Sequence, residues 1–80
     1  MIELKPRYED IKSYYEKAFV KYENNRTILL SYGVEVAYIE NGEAIVKNKY
    51  SATTLRHIKE FLKQNRFKAE SWKQIKRDYT

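Results

Sequence analysis

Asn41-Gly42 separates two runs rich in alternating and β-branched residues, Val34-Glu-Val-Ala-Tyr-Ile-Glu40 and Glu43-Ala-Ile-Val-Lys47. Both turn residues tolerate a positive φ, so a two-residue hairpin loop is favoured between the runs. That loop sets the register, with Glu40 opposite Glu43, Ile39 opposite Ala44 and Tyr38 opposite Ile45. Val34, Val36, Tyr38 and Ile45 then share one face, and Ala37, Ile39, Ala44 and Val46 the other. Neither face is clearly polar, so one is expected to be only partly covered and open to contact. Ile28-Leu-Leu-Ser-Tyr32 reads as a third strand that reverses or bulges at Gly33, where a tight turn meets no Cβ.

Helical signals flank this region. Ile11, Tyr14, Tyr15, Ala18, Phe19 and Tyr22 fall on one stripe at helical spacing, which predicts a helix from Arg7 to Glu23. Pro6 suits its first turn, Glu9 and Asp10 suit the positive end of its dipole, and Asn24-Asn25 would stop it in a left-handed conformation. A second helix is expected from Thr53 or Thr54 to Gln64. Ser51, Thr53 and Thr54 are competent caps, Leu55, Ile58 and Leu62 form the apolar line, and Phe61 lies at its edge. Ser71-Trp-Lys-Gln74 has the form of a capping box and opens a third helix, Ser71 to Tyr79, with Trp72, Ile75 and Tyr79 on one side. The expected fold is a single α+β domain over residues 1–80. A three-stranded antiparallel sheet packs on helices in the order α-β-β-β-α-α.

A chain of 80 residues buries a modest core, and this one draws on large side chains, with eight Tyr, three Phe and one Trp. It has no cysteine, hence no disulfide framework or thiolate metal site, which fits a reducing, cytoplasmic setting. Its apolar runs are too short to span a membrane, and its opening residues are not expected to form a secretory signal.

The charge is uneven. Residues 47–80 carry ten Lys or Arg against three acids, a net of +7, whereas residues 1–46 carry a net of −2. Arg56, Lys59, Lys63 and Arg66 fall along one side of the second expected helix, and Lys73, Lys76 and Arg77 cluster on the third. Such a stripe can neutralise several phosphates and release their counterions. A solvated Lys-rich face has the same composition, but Glu60 is the only acid on the second helix to compensate it, which favours contact. Thr53, Thr54 and Tyr50 would add neutral contacts at that helix start, where amides and hydroxyls suit a phosphate as well as a cap. Tyr32, Tyr38 and Tyr50 could stack on unpaired bases, although strand tyrosines more commonly serve as core rings.

Catalysis has little to draw on. His57 is the sole histidine, no acid is placed to orient it, and its ring is expected to pack or hydrogen-bond locally. Glu35, Glu40 and Glu43 gather near the hairpin, where charge ordinarily serves solubility. No catalytic residue, metal site or cofactor is therefore expected.

The segment Leu30-Ser-Tyr-Gly-Val-Glu-Val-Ala-Tyr-Ile39, followed by Tyr50-Ser-Ala-Thr-Thr-Leu-Arg-His-Ile58 and Phe61-Leu62, resembles a recurrent small domain of bacteriophages and other mobile elements. In that group a Ser-Tyr-Gly strand turn and a valine-alanine strand precede a Tyr-Ser-x-Thr-Thr-x-x-His helix start. The resemblance covers about the middle half of the chain, and the group has no function to carry over. It implies a context, a bacterial host cell, in which a short protein commonly works by binding. The α-β-β-β-α order also resembles double-stranded-RNA-binding domains, but their lysine-rich helix start is here Ser51-Ala-Thr-Thr-Leu.

The function expected is therefore non-enzymatic binding of nucleic acid through Arg56, Lys59, Lys63, Arg66, Lys73, Lys76 and Arg77. The alternative is a protein inhibitor of a host nucleic-acid enzyme or defence complex, of the anti-CRISPR kind. No membrane partner is expected. The tyrosines Tyr8, Tyr14, Tyr15 and Tyr22 leave pairing with a second copy open.

Overall fold

The computed structural model describes residues 1–47 and 51–80. Five strands run in chain order across one antiparallel sheet: β1 (Ile2–Glu3), β2 (Ala18–Glu23), β3 (Arg26–Ser31), β4 (Val34–Glu40) and β5 (Glu43–Val46). Two helices follow, α1 (Ala52–Gln64) and α2 (Trp72–Tyr79). This α+β meander corrects the expected architecture. The sheet has five strands rather than three, and both helices come after it rather than one before it.

The expected helix over Arg7–Glu23 does not form. Its last third is β2, and Tyr15 and Glu16 before it hold positive φ values of 53° and 61°, which no right-handed helix accommodates. Ala18, Val20 and Tyr22 alternate with Phe19, Lys21 and Glu23, so the segment carries a strand's period as well as a helix's. Pairing with β3 through Ala18↔Ser31, Val20↔Leu29 and Tyr22↔Thr27 decides between them.

Asn24-Asn25 keeps the left-handed conformation expected of it, φ 53° and 64°, but serves as a hairpin loop, not a helix stop. All three tight connections have two positive-φ residues: Asn24-Asn25, Tyr32-Gly33 (52°, 77°) and Asn41-Gly42 (53°, 77°). Their right-handed twist matches that of the strands they join. The β4–β5 register is the expected one, Glu40↔Glu43, Ile39↔Ala44 and Tyr38↔Ile45. A bulge between Leu29 and Leu30 shifts the β3–β4 register, so Leu29 faces Ala37 while Leu30 faces Glu35. Val36, displaced at that irregularity, is buried in the core and does not share an open face with Tyr38 and Ile45.

The helices cover one side of the sheet. Ile58, Phe61 and Leu62 of α1 and Ile75 of α2 are fully buried against Ala18, Val20, Leu29, Ala37, Ala44 and Val46. Burying a side chain of this size contributes roughly 2–3 kcal/mol. Ser51 caps α1, accepting from Thr54 N–H at 3.2 Å, and Ser71 caps α2, accepting from Gln74 N–H at 3.2 Å. α1 ends in a Schellman motif: Phe67 N–H donates to Leu62 C=O at 2.9 Å and Arg66 N–H to Lys63 C=O at 3.1 Å. Arg66 takes the left-handed position, φ 67°, that glycine ordinarily fills.

Residues between β1 and β2 cross α1 as an irregular strap. Glu60, only 2% exposed, holds the strap to the helix. Its carboxylate accepts from the N–H groups of Arg7 and Tyr8, each at 3.0 Å, and from Gln64 Nε2 at 2.6 Å. Gln64 Nε2 also donates to Lys5 C=O at 2.6 Å. Further along, Tyr14 is buried in the core and donates its hydroxyl to Glu9 at 2.7 Å. Among the described residues, no helix is long and apolar enough to cross a membrane.

Candidate functional site

Two neighbouring regions of α1 gather the polar chemistry. The first is a groove of about 140 Å³ where the strap meets the helix, lined by Tyr8, Glu9, Arg56, Lys59, Glu60 and Lys63. Helical spacing places Arg56, Lys59 and Lys63 on one side, as the sequence predicts. Arg56 is paired with Glu9, whereas Lys59 and Lys63 have no acidic partner among the described residues. Glu60 forms no ion pair with either lysine; its oxygens are bonded to the strap amides and to Gln64, although its charge stays in the same groove. The acid that looked like charge compensation is an internal tie.

Arg66 is exposed at the C-terminal end of α1, where its charge also suits the helix dipole. Lys73, Lys76 and Arg77 are exposed on α2, and Arg77 is bonded to Asp78 at 3.0 Å. Arg66, Lys73 and Lys76 have no ion-pair partner among the described residues. Thr53 is exposed, but Thr54 is buried and turned to the interior, 3.1 Å from Ser31 Oγ. Tyr50 lies outside the described residues. Tyr38 lies half-buried beneath the Arg26 guanidinium, 4.4 Å from its ring centroid, on the sheet face away from the helices. Glu35 and Glu40 are engaged with Lys47 and Arg26, each at 3.4 Å.

The second region is a pocket of about 320 Å³ around His57. Tyr15, Tyr32, Lys17 and Arg56 are among its walls. His57 is 1% exposed and packs and hydrogen-bonds as expected, but against residues distant in sequence rather than local ones. Its Nδ1 lies 2.8 Å from Ser31 Oγ, and the edge of the Tyr14 ring meets it with centroids 4.6 Å apart. Burial lowers the His57 pKa, and the adjacent Arg56 pushes the same way, so the ring is neutral near pH 7. Burial would raise the Glu9 carboxyl, but hydrogen bonds from Tyr14 and Arg56 together hold it below the usual carboxylate range. Burial and the bond to Glu9 push the Tyr14 phenol well up, so it stays protonated.

Sequence reasoning did not single out Ser31, Tyr14, Tyr15, Lys17 or Glu9 for this region. They come from the β3 end and the strap, and only the tertiary fold brings them to α1. A tyrosine directly before Gly33, in a turn where asparagine fits better, was the one local signal.

No curated protein and no solved structure matches the chain. Residues 2–77 do match a family, and that span takes in the whole sheet, the strap and nearly all of both helices, with every described residue of the groove and the pocket. The chain therefore belongs to DUF8033, a family of unknown function.

Proposed function

We propose that the protein is a non-enzymatic module that binds nucleic acid through the basic side of its two C-terminal helices. The observation that supports this reading is uncompensated charge. Lys59, Lys63, Arg66, Lys73 and Lys76 lack an ion-pair partner among the described residues, as do Lys5, Arg7, Lys12 and Lys17 outside the two helices, whereas Arg56, Lys68 and Arg77 are paired. Lys59 and Lys63 also line a groove with Tyr8, the Arg56–Glu9 pair and Glu60, which gives the charge a shape. Phosphate contacts made mainly by lysines give strong salt dependence and weak sequence preference. The setting we propose, on the resemblance around Tyr50–Ile58, is a bacteriophage or mobile element acting in a bacterial cytoplasm.

A gel-shift titration against duplex and single strands over a series of salt concentrations tests this. The affinity should fall with a log–log salt slope of about −0.9 per phosphate contacted on duplex, or about −0.7 on a single strand. The triple variant Lys59→Glu, Lys63→Glu, Arg66→Glu should lose at least tenfold at low salt and flatten that slope. No binding at low salt, or binding unchanged in the triple variant, overturns the reading. A stoichiometric partner that survives nuclease treatment of a bacterial lysate, together with no direct nucleic-acid binding, would instead favour a protein inhibitor of a host enzyme.

A further inference from the structure

Of the three two-residue hairpin loops, two begin with asparagine, the residue that best tolerates positive φ after glycine. The third begins with Tyr32 at φ 52°. A bulky residue in this conformation costs on the order of 1 kcal/mol relative to one that accepts it. The Tyr32 ring recovers little of that by burial, since it remains 54% exposed. Tyr15 repeats the anomaly, with φ 53° and 73% exposure. Both rings line the same pocket, the one around His57. Strained residues held in place at one cavity suggest use rather than accident.

The wall of that pocket includes the His57 ring. Among the described residues its Nε2 makes no hydrogen bond, although no fully buried side-chain nitrogen or oxygen there lacks a partner. A run of hydroxyls orders the other side of the ring. Ser51 Oγ donates to Thr54 Oγ1 at 3.4 Å, Thr54 lies 3.1 Å from Ser31 Oγ, and Ser31 lies 2.8 Å from His57 Nδ1. With protons passed in that direction, Ser31 donates to Nδ1 and the ring proton sits on Nε2, making it a donor into the pocket. Lys17 and Arg56, the latter paired with Glu9, stand in the wall, and among the described residues no acid lines it. The occupant thus has a flat face, a hydrogen-bond acceptor and a negative charge.

The geometry points to a slot for one unpaired nucleotide, resting on the nucleic-acid reading above. The base stacks on Tyr32 and Tyr15 and accepts from His57 Nε2, and its phosphate meets Lys17 or Arg56. This deepens a phosphate-tracking surface into one that captures single strands.

The test uses a short oligothymidylate and the same backbone with abasic sites, each titrated at low salt by fluorescence anisotropy. The protein should prefer the intact strand by roughly 5- to 150-fold, the range for stacking by one base. Tyr32→Asn removes the ring while suiting the turn, so it should fold with an equal or higher Tm and lose most of that preference. Abasic strands should bind this variant as they bind the unmodified protein. Equal binding of the intact and abasic strands, or a full preference retained in Tyr32→Asn, overturns the slot and leaves the basic surface standing. Binding of neither strand overturns both.

Discussion

Glu60 offers a sharp test of how this small domain is held together. Its buried carboxylate takes three N–H donors, two from the strap backbone at Arg7 and Tyr8 and one from Gln64. A hydrogen bond to a charged group contributes roughly 1.5–3 kcal/mol. In Glu60→Ala the part-buried N–H groups of Arg7 and Tyr8, both on exposed residues, recover water, which offsets part of the loss. The expected net cost is about 2–3 kcal/mol, a large fraction of the roughly 4–12 kcal/mol available to a domain of this length. Glu60→Gln keeps one acceptor but turns an NH2 toward donors, so it should lose about half as much. Urea denaturation gives the stability change, and native-state hydrogen exchange locates it. The amides of Arg7 and Tyr8 should lose protection in both variants, while core amides such as Leu29 follow only the global change. A cost below about 0.5 kcal/mol for Glu60→Ala, or strap amides that exchange as fast in the unmodified protein as in the variant, would refute the idea that a buried carboxylate ties the strap down.

Two further perturbations probe the His57 cluster and the turns. Because burial depresses the His57 pKa below its ordinary 6.5, the unfolded chain takes up a proton that the fold refuses. Its contribution is therefore fully present above pH 6.5 and declines as pH falls toward the folded value. Arg56, Glu9, Tyr14 and Tyr32 face the ring, and only Glu9 opposes this direction. Urea midpoints measured from pH 8 to pH 5 should fall, and His57→Gln should remove most of the slope between pH 7 and 5; identical slopes would sink the assignment. Gly42→Ala should cost about 1 kcal/mol through its φ of +77° alone, since an added Cβ meets no atom within 4 Å. A thermal melt showing no loss would mean that the loop relaxes to another turn type.

The parts of the fold legible in the sequence were those whose local signals agree with one another. Asn41-Gly42 and its flanking strands, the Ser51 and Ser71 caps and the apolar lines of both helices stand close to where local chemistry puts them. Ala18–Glu23 was illegible because its apolar residues satisfy two periods at once, and local sequence holds no information about the β3 partner that chooses between them. Asn24-Asn25 shows the same ambiguity, since one backbone conformation serves a helix stop and a hairpin loop equally. In the candidate site, the grouping of Arg56, Lys59 and Lys63, though not Arg66, which lies past the end of α1 and off that stripe, was readable from helical spacing. The His57 pocket was not, because Ser31, Tyr14 and Lys17 reach it through contacts far apart in sequence. Glu60 was misjudged for a related reason, as its partners are backbone amides more than fifty residues away.

The lengths of the outer strands carry a consequence for association. β2, β3 and β4 run six or seven residues, while the edges β1 and β5 run only two and four. An edge that short presents too few free backbone groups to template an incoming strand, so the sheet stops growing at both sides. On the β1 side this protection depends on two pairs, Ile2↔Val20 and Glu3↔Phe19. Loosening them would bare the far longer β2, whose Phe19, Val20 and Tyr22 favour strand addition. Strand addition at this edge is thus held off by the briefest strand of the sheet.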